Sequence, residues 1–240
     1  MEGPWSGLPL RLLQPQWTRH DHPNAPKRAH PRAPRRRQRQ LPARYLAAII
    51  DAAWLCHIAF ADAAGAHCIP TACWRDGDYL YVHGSNGGRL LKLLARGVQA
   101  CVTITHLDGL VLARSAFNHS MNYRSAMIYG AFEKVSGEAD KRASMALFME
   151  KIAPGRQHEV RSGSDKEFDA TTILRISLAE AACKVRAGPP VDDTDDMAVQ
   201  AWSGVLPMAL RQMAAVRDRQ CALLDPPYVS AWGGVPLQQA

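Results

Sequence analysis

Short apolar runs joined by tight turns, with few helical stretches between them, limit this chain to a small set of folds. "CHIAFAD" (56–62) reads as a strand closing on "AAGA", and "AHCIPTACW" (66–74) as a second. "RDGD" (75–78) is a turn with Asp-Gly at its centre, leading into the strand "YLYVH" (79–83). "VQACVTITHL" (98–107) is a further strand, and "LDG" (107–109) turns it back into "LVLARSAF" (110–117). "NYRSAMIYGAFEKV" (122–135) and "TTILRISLA" (171–179) complete about six or seven strands. Helical periodicity is confined to "ARYLAAIIDAAWL" (43–55), the leucine-rich 89–96 with Gly97 as its C-cap, and "DKRASMALFMEKIA" (140–153), which Pro154-Gly155 ends. Hairpin connections imply an antiparallel sheet, and a sheet of this size buries its edges by closing into a barrel or sandwich. A doubly wound α/β fold is excluded because it needs a helix after nearly every strand.

The charge is unevenly placed. Residues 1–44 hold ten Lys/Arg against two Asp/Glu, whereas 45–240 hold nineteen against twenty. The net +7 therefore belongs to the Pro- and Arg-rich segment 1–40, which reads as a disordered tail. The near-neutral remainder argues against nucleic-acid binding, which calls for a basic face on the folded part. A folded domain is expected over 41–210 and an irregular extension over 211–240. No apolar run approaches the roughly 20 residues of a membrane span, and the start lacks a secretory apolar core, so a cytoplasmic protein is expected.

The stretch "YLYVHGSNGGRLLKLLARG" (79–97) carries the chemistry. An alternating strand meets a serine, two glycines and an arginine, then becomes a helix. Backbone N–H groups at a helix start favour an anion, Gly87 and Gly88 allow close approach, Ser85 offers a hydroxyl, and Arg89 can fork onto phosphate oxygens, with Lys92 one turn on. A structural Gly-rich turn explains the same residues equally well. Walker A and GxGxxG patterns are absent, and His83 stands where a nucleophile elbow needs glycine.

"HCIPTACWRDGDYLYVHGSNGGRLLKLL" followed by "VTITHLDGLVLARSAFNHSMNYRSAMIYGAFEKV" resembles the flavin-nucleotide-binding proteins related to pyridoxamine 5′-phosphate oxidase, in the branch that includes 5-nitroimidazole-resistance proteins. The resemblance covers about residues 41–210. It implies a mainly β, antiparallel, FMN-binding split β-barrel with a few helices, a homodimer with the cofactor at the interface. It implies that Ile69, Pro70 and Thr71 line the flavin ring edge, that His83, Gly84 and Ser85 follow the ribityl chain, and that Gly88 and Arg89 hold the phosphate. Asn122, Tyr123, Arg124 and Ser125 would reach ring or ribityl chain from the partner subunit, with Arg124 as positive charge near the ring. Relatives often carry Lys after the arginine position. This chain has Leu90, and Lys92 is the substitute on hand. The function implied is a flavin-dependent oxidoreductase with a small organic substrate and a nicotinamide donor. A non-enzymatic flavin carrier, or a split barrel using haem or F420, is the alternative. True pyridoxamine 5′-phosphate oxidation needs a second phosphate pocket that no C-terminal segment supplies.

His83, His119 and Tyr123 are the catalytic candidates, against a structural role for each. No histidine pair has zinc spacing, and no protein-bound metal is expected. The six cysteines form no CxxC pair and read as reduced, buried thiols. Lys184 and Arg186 read as solvated charges, and Asp192, Asp193, Asp195 and Asp196 as a solvated acidic loop without calcium-loop spacing.

Overall fold

The computed structural model describes residues 43–233. The basic segment 1–40 lies outside these residues. The opening helix α1 (Ala43–Asp51) turns Ile49 and Ile50 into the core. Ten strands follow in two antiparallel sheets. The larger contains β1 (Leu55–Asp62), β2 (Gly65–Ala72), β5 (Gln99–Leu112), β6 (Ser120–Ala131) and β9 (Ala181–Arg186) in the order β2-β1-β5-β6-β9, with β10 (Gly204–Pro207) paired to β5. The smaller runs β3-β4-β8-β7, from β3 (Trp74–Asp76), β4 (Tyr79–Ser85), β8 (Thr171–Ser177) and β7 (Glu133–Lys134). Helix α2 (Arg89–Leu94) follows β4, α3 (Glu138–Ile152) and α4 (Asp165–Asp169) lie between β7 and β8, and α5 (Pro227–Ser230) closes the described chain.

The two sheets face each other across one apolar core. Ile58, Leu80, Val82, Val102, Ile128, Leu174 and Ile176 are almost wholly removed from water there, with Leu94 of α2 among them. Each such side chain contributes about 1.5–3 kcal/mol relative to exposure. A second cluster, Trp74, Tyr81, Val135 and Ile173, lies on the other face of the smaller sheet, where Met145 and Phe148 of α3 cover it. The smaller sheet is thus covered on both faces, which is why the consecutive residues Thr172, Ile173 and Leu174 of β8 are all buried rather than alternately so. No described helix is long and apolar enough to cross a membrane.

Three expectations are corrected. The "LDG" segment is not a turn: β5 runs unbroken for 14 residues and carries a bulge, where pairing with β6 shifts between Leu107 and Gly109. "AHCIPTACW" is not one strand, because the chain passes at Cys73 from β2 in the larger sheet to β3 in the smaller. α4, β9, β10 and α5 had no place in the sequence reading. α4 starts with a capping box, Ser164 and Glu167 each bonding the other's backbone N–H.

Candidate functional site

The strand-to-helix turn forms as expected. Ser85 ends β4, the Gly88 N–H donates to the Ser85 carbonyl (2.9 Å), and the Gly87 N–H reaches the Ser85 hydroxyl (3.2 Å). Gly88 is the N-cap of α2 and offers no side-chain cap. The glycines have different jobs. A Cβ on Gly84 would lie 2.9 Å from Leu91 Cδ2, so this residue admits the helix against the sheet. A Cβ on Gly87 would meet nothing closer than 3.6 Å, so this face of the turn stays open to a ligand. Lys92 is exposed on α2.

Arg89 is not a free guanidinium. Its Nη2 is 2.5 Å from Asp62 Oδ2 at the end of β1 and 3.1 Å from His67 Nε2 on β2. His67 Nε2 also contacts Asp62 Oδ1 at 2.8 Å. Asp62 stays well below the usual carboxylate range, held first by the His67 hydrogen bond and then by Arg89 and the Ala64 N–H. The cluster fixes the arginine over the β1–β2 hairpin while leaving its side chain 59% exposed, so its outer nitrogens remain open to an anion. Ile69, Pro70 and Thr71 lie on β2, whose other long edge pairs with no described strand. Its unpaired backbone groups are the donors and acceptors a flat heterocycle edge requires.

The remaining predicted contacts form a second group. Asn122 is buried, donates Nδ2 to the Gly188 carbonyl (3.0 Å) and accepts from Arg186 Nη1 (3.0 Å). Tyr123 lies under Lys184, whose Nζ is 5.4 Å from the ring centre. Arg124 forks onto Asp108, and Ser125 pairs with Thr105 and Lys184. Lys184 and Arg186 are therefore engaged beside these residues rather than merely solvated. Phe60 of β1, next to the Asp62 cluster, sits opposite Ala100 of β5, whereas Asn122 sits opposite Gly109. Nine strand positions at about 3.3 Å each put the Arg89 cluster on the order of 30 Å from Asn122 within one chain, whereas Thr71, opposite Cys56, is close in register to Arg124 and Ser125. His119 is exposed just before β6, its Nδ1 2.9 Å from the Ser115 carbonyl.

His83 belongs to neither group. Along β4 it shares a face with Tyr79 and Tyr81, turned away from the barrel core, with its ring 4.7 Å from Phe148 and 5.6 Å from Trp74. Its Nδ1 is buried without a hydrogen-bond partner, and burial lowers its pKa, favouring the neutral imidazole. Met145 of α3, which packs on this cluster, also lines a cavity of about 570 Å³ bounded by Val160, Arg161, Phe168 and Thr171. Ile173 lies opposite His83 and Thr171 opposite Ser85, so the cavity begins one same-face position along the sheet from His83. Asp62, Asp108, Trp74 and Phe148 carried no site signal in the sequence, since their partners lie far along the chain. Among the described residues no cluster of His, Cys, Asp or Glu is arranged to hold a bare metal ion.

Comparison with known proteins fits this arrangement. A family model described as pyridoxamine 5′-phosphate oxidase matches residues 43–185. The flavocytochrome Anf3 from Azotobacter vinelandii is 38% identical, with a TM-score of 0.75 over 79% of this chain and 89% of that one. The FAD and haem binding protein from Mycobacterium smegmatis is 32% identical, with a TM-score of 0.76 over 81% of this chain and 96% of that one. A 5-nitroimidazole antibiotic resistance protein, so described, from Bacteroides thetaiotaomicron shares the fold at 22% identity and a TM-score of 0.50, over 60% of this chain and 82% of that one. No curated protein sequence matches the chain. The family match spans more than half the sequence and includes both the β4–α2 turn and the β5–β6 hairpin: this chain belongs to the pyridoxamine 5′-phosphate oxidase family.

Proposed function

We propose that this chain is a redox protein that binds a flavin nucleotide and a haem, with His83 as a haem-iron ligand. The observation that carries the reading is the His83 side chain: a neutral imidazole with an orphaned buried nitrogen, caged by Trp74 and Phe148 beside a large cavity. Iron takes neutral imidazole, and burial keeps His83 in that form. Arg161, which lines the cavity, forks onto Glu167 at 2.7 and 2.8 Å but stays largely exposed, and its outer face is open to a haem propionate. Similarity to a flavocytochrome and to a protein that binds FAD and haem supports the same pair of cofactors.

The flavin half rests on the Ser85–Arg89 turn and the free edge of β2. Arg89, oriented by Asp62, would hold a phosphate, and β2 backbone groups would meet the ring edge. FAD is favoured over FMN by the similarity to the Mycobacterium smegmatis protein. When bound, flavin and haem together supply a path from two-electron donors to one-electron acceptors. A nicotinamide donor and a small organic acceptor complete this reading, in which the chain acts as an oxidoreductase.

The reading requires a homodimer. Arg89 and Asn122 are too far apart in one chain to hold the same flavin, and a second copy would bring a partner's Asn122 strand to Arg89. The outer face of the larger sheet exposes Leu55, Leu107, Met121, Met127 and Tyr129, an apolar surface suited to that contact.

Release of the bound chromophores from the purified full-length protein, followed by chromatography, tests the proposal. It predicts a flavin nucleotide and a b-type haem in comparable amounts. Flavin without any haem uptake would remove the haem half, and a protein that takes up neither would remove the whole reading.

A further inference from the structure

We propose that Asp62 sets the choice of flavin: its fixed carboxylate beside Arg89 makes the Ser85–Arg89 turn select the diphosphate diester of FAD over the terminal phosphate of FMN. The inference rests on the flavin reading of that turn and adds a specificity to it. Asp62 ends β1 and is held by three donors. Its Oδ1 accepts from the Ala64 N–H and from His67 Nε2, each at 2.8 Å, and its Oδ2 accepts from Arg89 Nη2 at 2.5 Å. An ionised carboxylate only accepts, so His67 Nε2 carries a proton and has no lone pair left for Arg89. The 3.1 Å approach of Arg89 Nη2 to that nitrogen is therefore packing. Asp62 is then the one hydrogen-bond partner of the Arg89 side chain among the described residues.

The carboxylate cannot step aside for a ligand. The His67 ring that bonds it stacks on Phe60, with ring centres 5.0 Å apart, and the Ala64 N–H belongs to the β1–β2 hairpin itself. The Asp62 side chain is 17% exposed, whereas that of Arg89 is 59% exposed. An anion arriving at the turn thus meets an open guanidinium with a fixed negative charge at its back. That charge persists at neutral pH, because the hydrogen bonds from His67, Arg89 and Ala64 hold the Asp62 carboxyl well below the usual carboxylate range.

Charge then decides the selection. Asp62 cancels Arg89, and exposed Lys92, one turn on along α2, supplies a further positive charge. That balance suits a group with a single negative charge. Each phosphorus of a diphosphate diester carries one, whereas a terminal phosphate monoester carries about −1.5 to −2 at pH 7. A phosphate oxygen on the neighbouring guanidinium nitrogen would lie on the order of 5 Å from the carboxylate. Repulsion of the additional charge over that distance, at a partly exposed site, is worth about a tenfold change in affinity.

The experiment titrates the full-length protein, freed of flavin, with FAD, FMN and riboflavin at pH 7, in wild type, Asp62→Asn, Arg89→Ala and the double variant. The readout is the Kd for FMN divided by the Kd for FAD. Damage to the ring site cancels in that ratio, and riboflavin reports such damage directly. The proposal predicts that wild type binds FAD more tightly than FMN, and that Asp62→Asn lowers the ratio about tenfold. The ratio should also fall when Asp62→Asn is added to Arg89→Ala, because the carboxylate repels a doubly charged phosphate with or without the arginine. A residue that only positions Arg89 would weaken both ligands together and have no effect once Arg89 is gone. A wild type that prefers FMN, or a ratio unchanged in Asp62→Asn, would overturn the proposal and leave the flavin reading standing. A wild type that binds none of the three flavins would remove that reading and the proposal with it.

Discussion

Arg124 grips Asp108 with both arms of its guanidinium, Nε to Oδ2 and Nη2 to Oδ1, each at 2.9 Å. Asp108 is the extra residue of the β5 bulge, so the pair pins the bulge to β6. The hydrogen bond to Asp108 raises the Arg124 pKa and keeps it charged, but its charge is already shared. The pair is partly open to water, so Arg124→Ala is expected to cost about 1 kcal/mol, a drop of about 2–4 °C in Tm. Arg124→Lys should recover only part of that loss, because an ammonium cannot form the fork. Thermal melts of the three proteins check both statements.

On the proposed reading, Arg89 meets the phosphate and not the flavin ring. Arg89→Ala should weaken FMN or FAD binding about 10- to 100-fold, the loss of one to two charge-assisted contacts, and leave riboflavin affinity nearly unchanged. Fluorescence titration of the apoprotein with the three flavins distinguishes these outcomes. Equal losses for riboflavin would mean that the arginine supports the hairpin rather than the ligand.

Gly109 admits β10. A Cβ there would sit 2.9 Å from the Leu206 carbonyl oxygen and 3.1 Å from Val205 Cγ1, and the backbone atom cannot step aside alone. Gly109→Ala should therefore loosen β10 at a cost of about 1–3 kcal/mol. Limited proteolysis is expected to cut earlier in the segment after Ser203 in this variant than in wild type.

His83 ties stability to pH. Its folded-state pKa lies below the ordinary 6.5, so the native protein holds it neutral. Well above pH 6.5 both states are neutral and the residue adds no pH dependence. As pH falls below 6.5, the unfolded chain takes a proton that the native state resists, and stability is lost. His83→Gln removes this difference. The wild type should lose more stability than the variant between pH 7 and pH 5, as read from urea midpoints, and parallel losses would contradict the assignment.

Most strand positions from 55 to 131 were legible because apolar alternation and Asp-Gly punctuation report local geometry, but the single strand expected over 122–135 divides between β6 of the larger sheet and β7 of the smaller. The same Asp-Gly misled at 108–109, where a bulge and a turn use the same residue types and only the pairing of β5 with β6 decides. The break at Cys73 was hidden because both halves favour strand, and the sheet change is a tertiary event. The β4–α2 turn and Arg89 stood out by pattern. Asp62, which orients Arg89 from 27 positions away, did not, since no spacing rule links them. His83 stood out in the sequence beside the glycine turn, but its environment did not: the aromatic cage comes from β3 and α3, and only packing brings them together.

The most direct test of the central reading is haem titration of flavin-loaded wild type and His83→Ala, followed by the Soret band. The account predicts saturation near one haem per chain for wild type, and loss of the shifted band in the variant with its flavin content intact. A His83→Ala protein that takes up haem with the wild-type spectrum would contradict it.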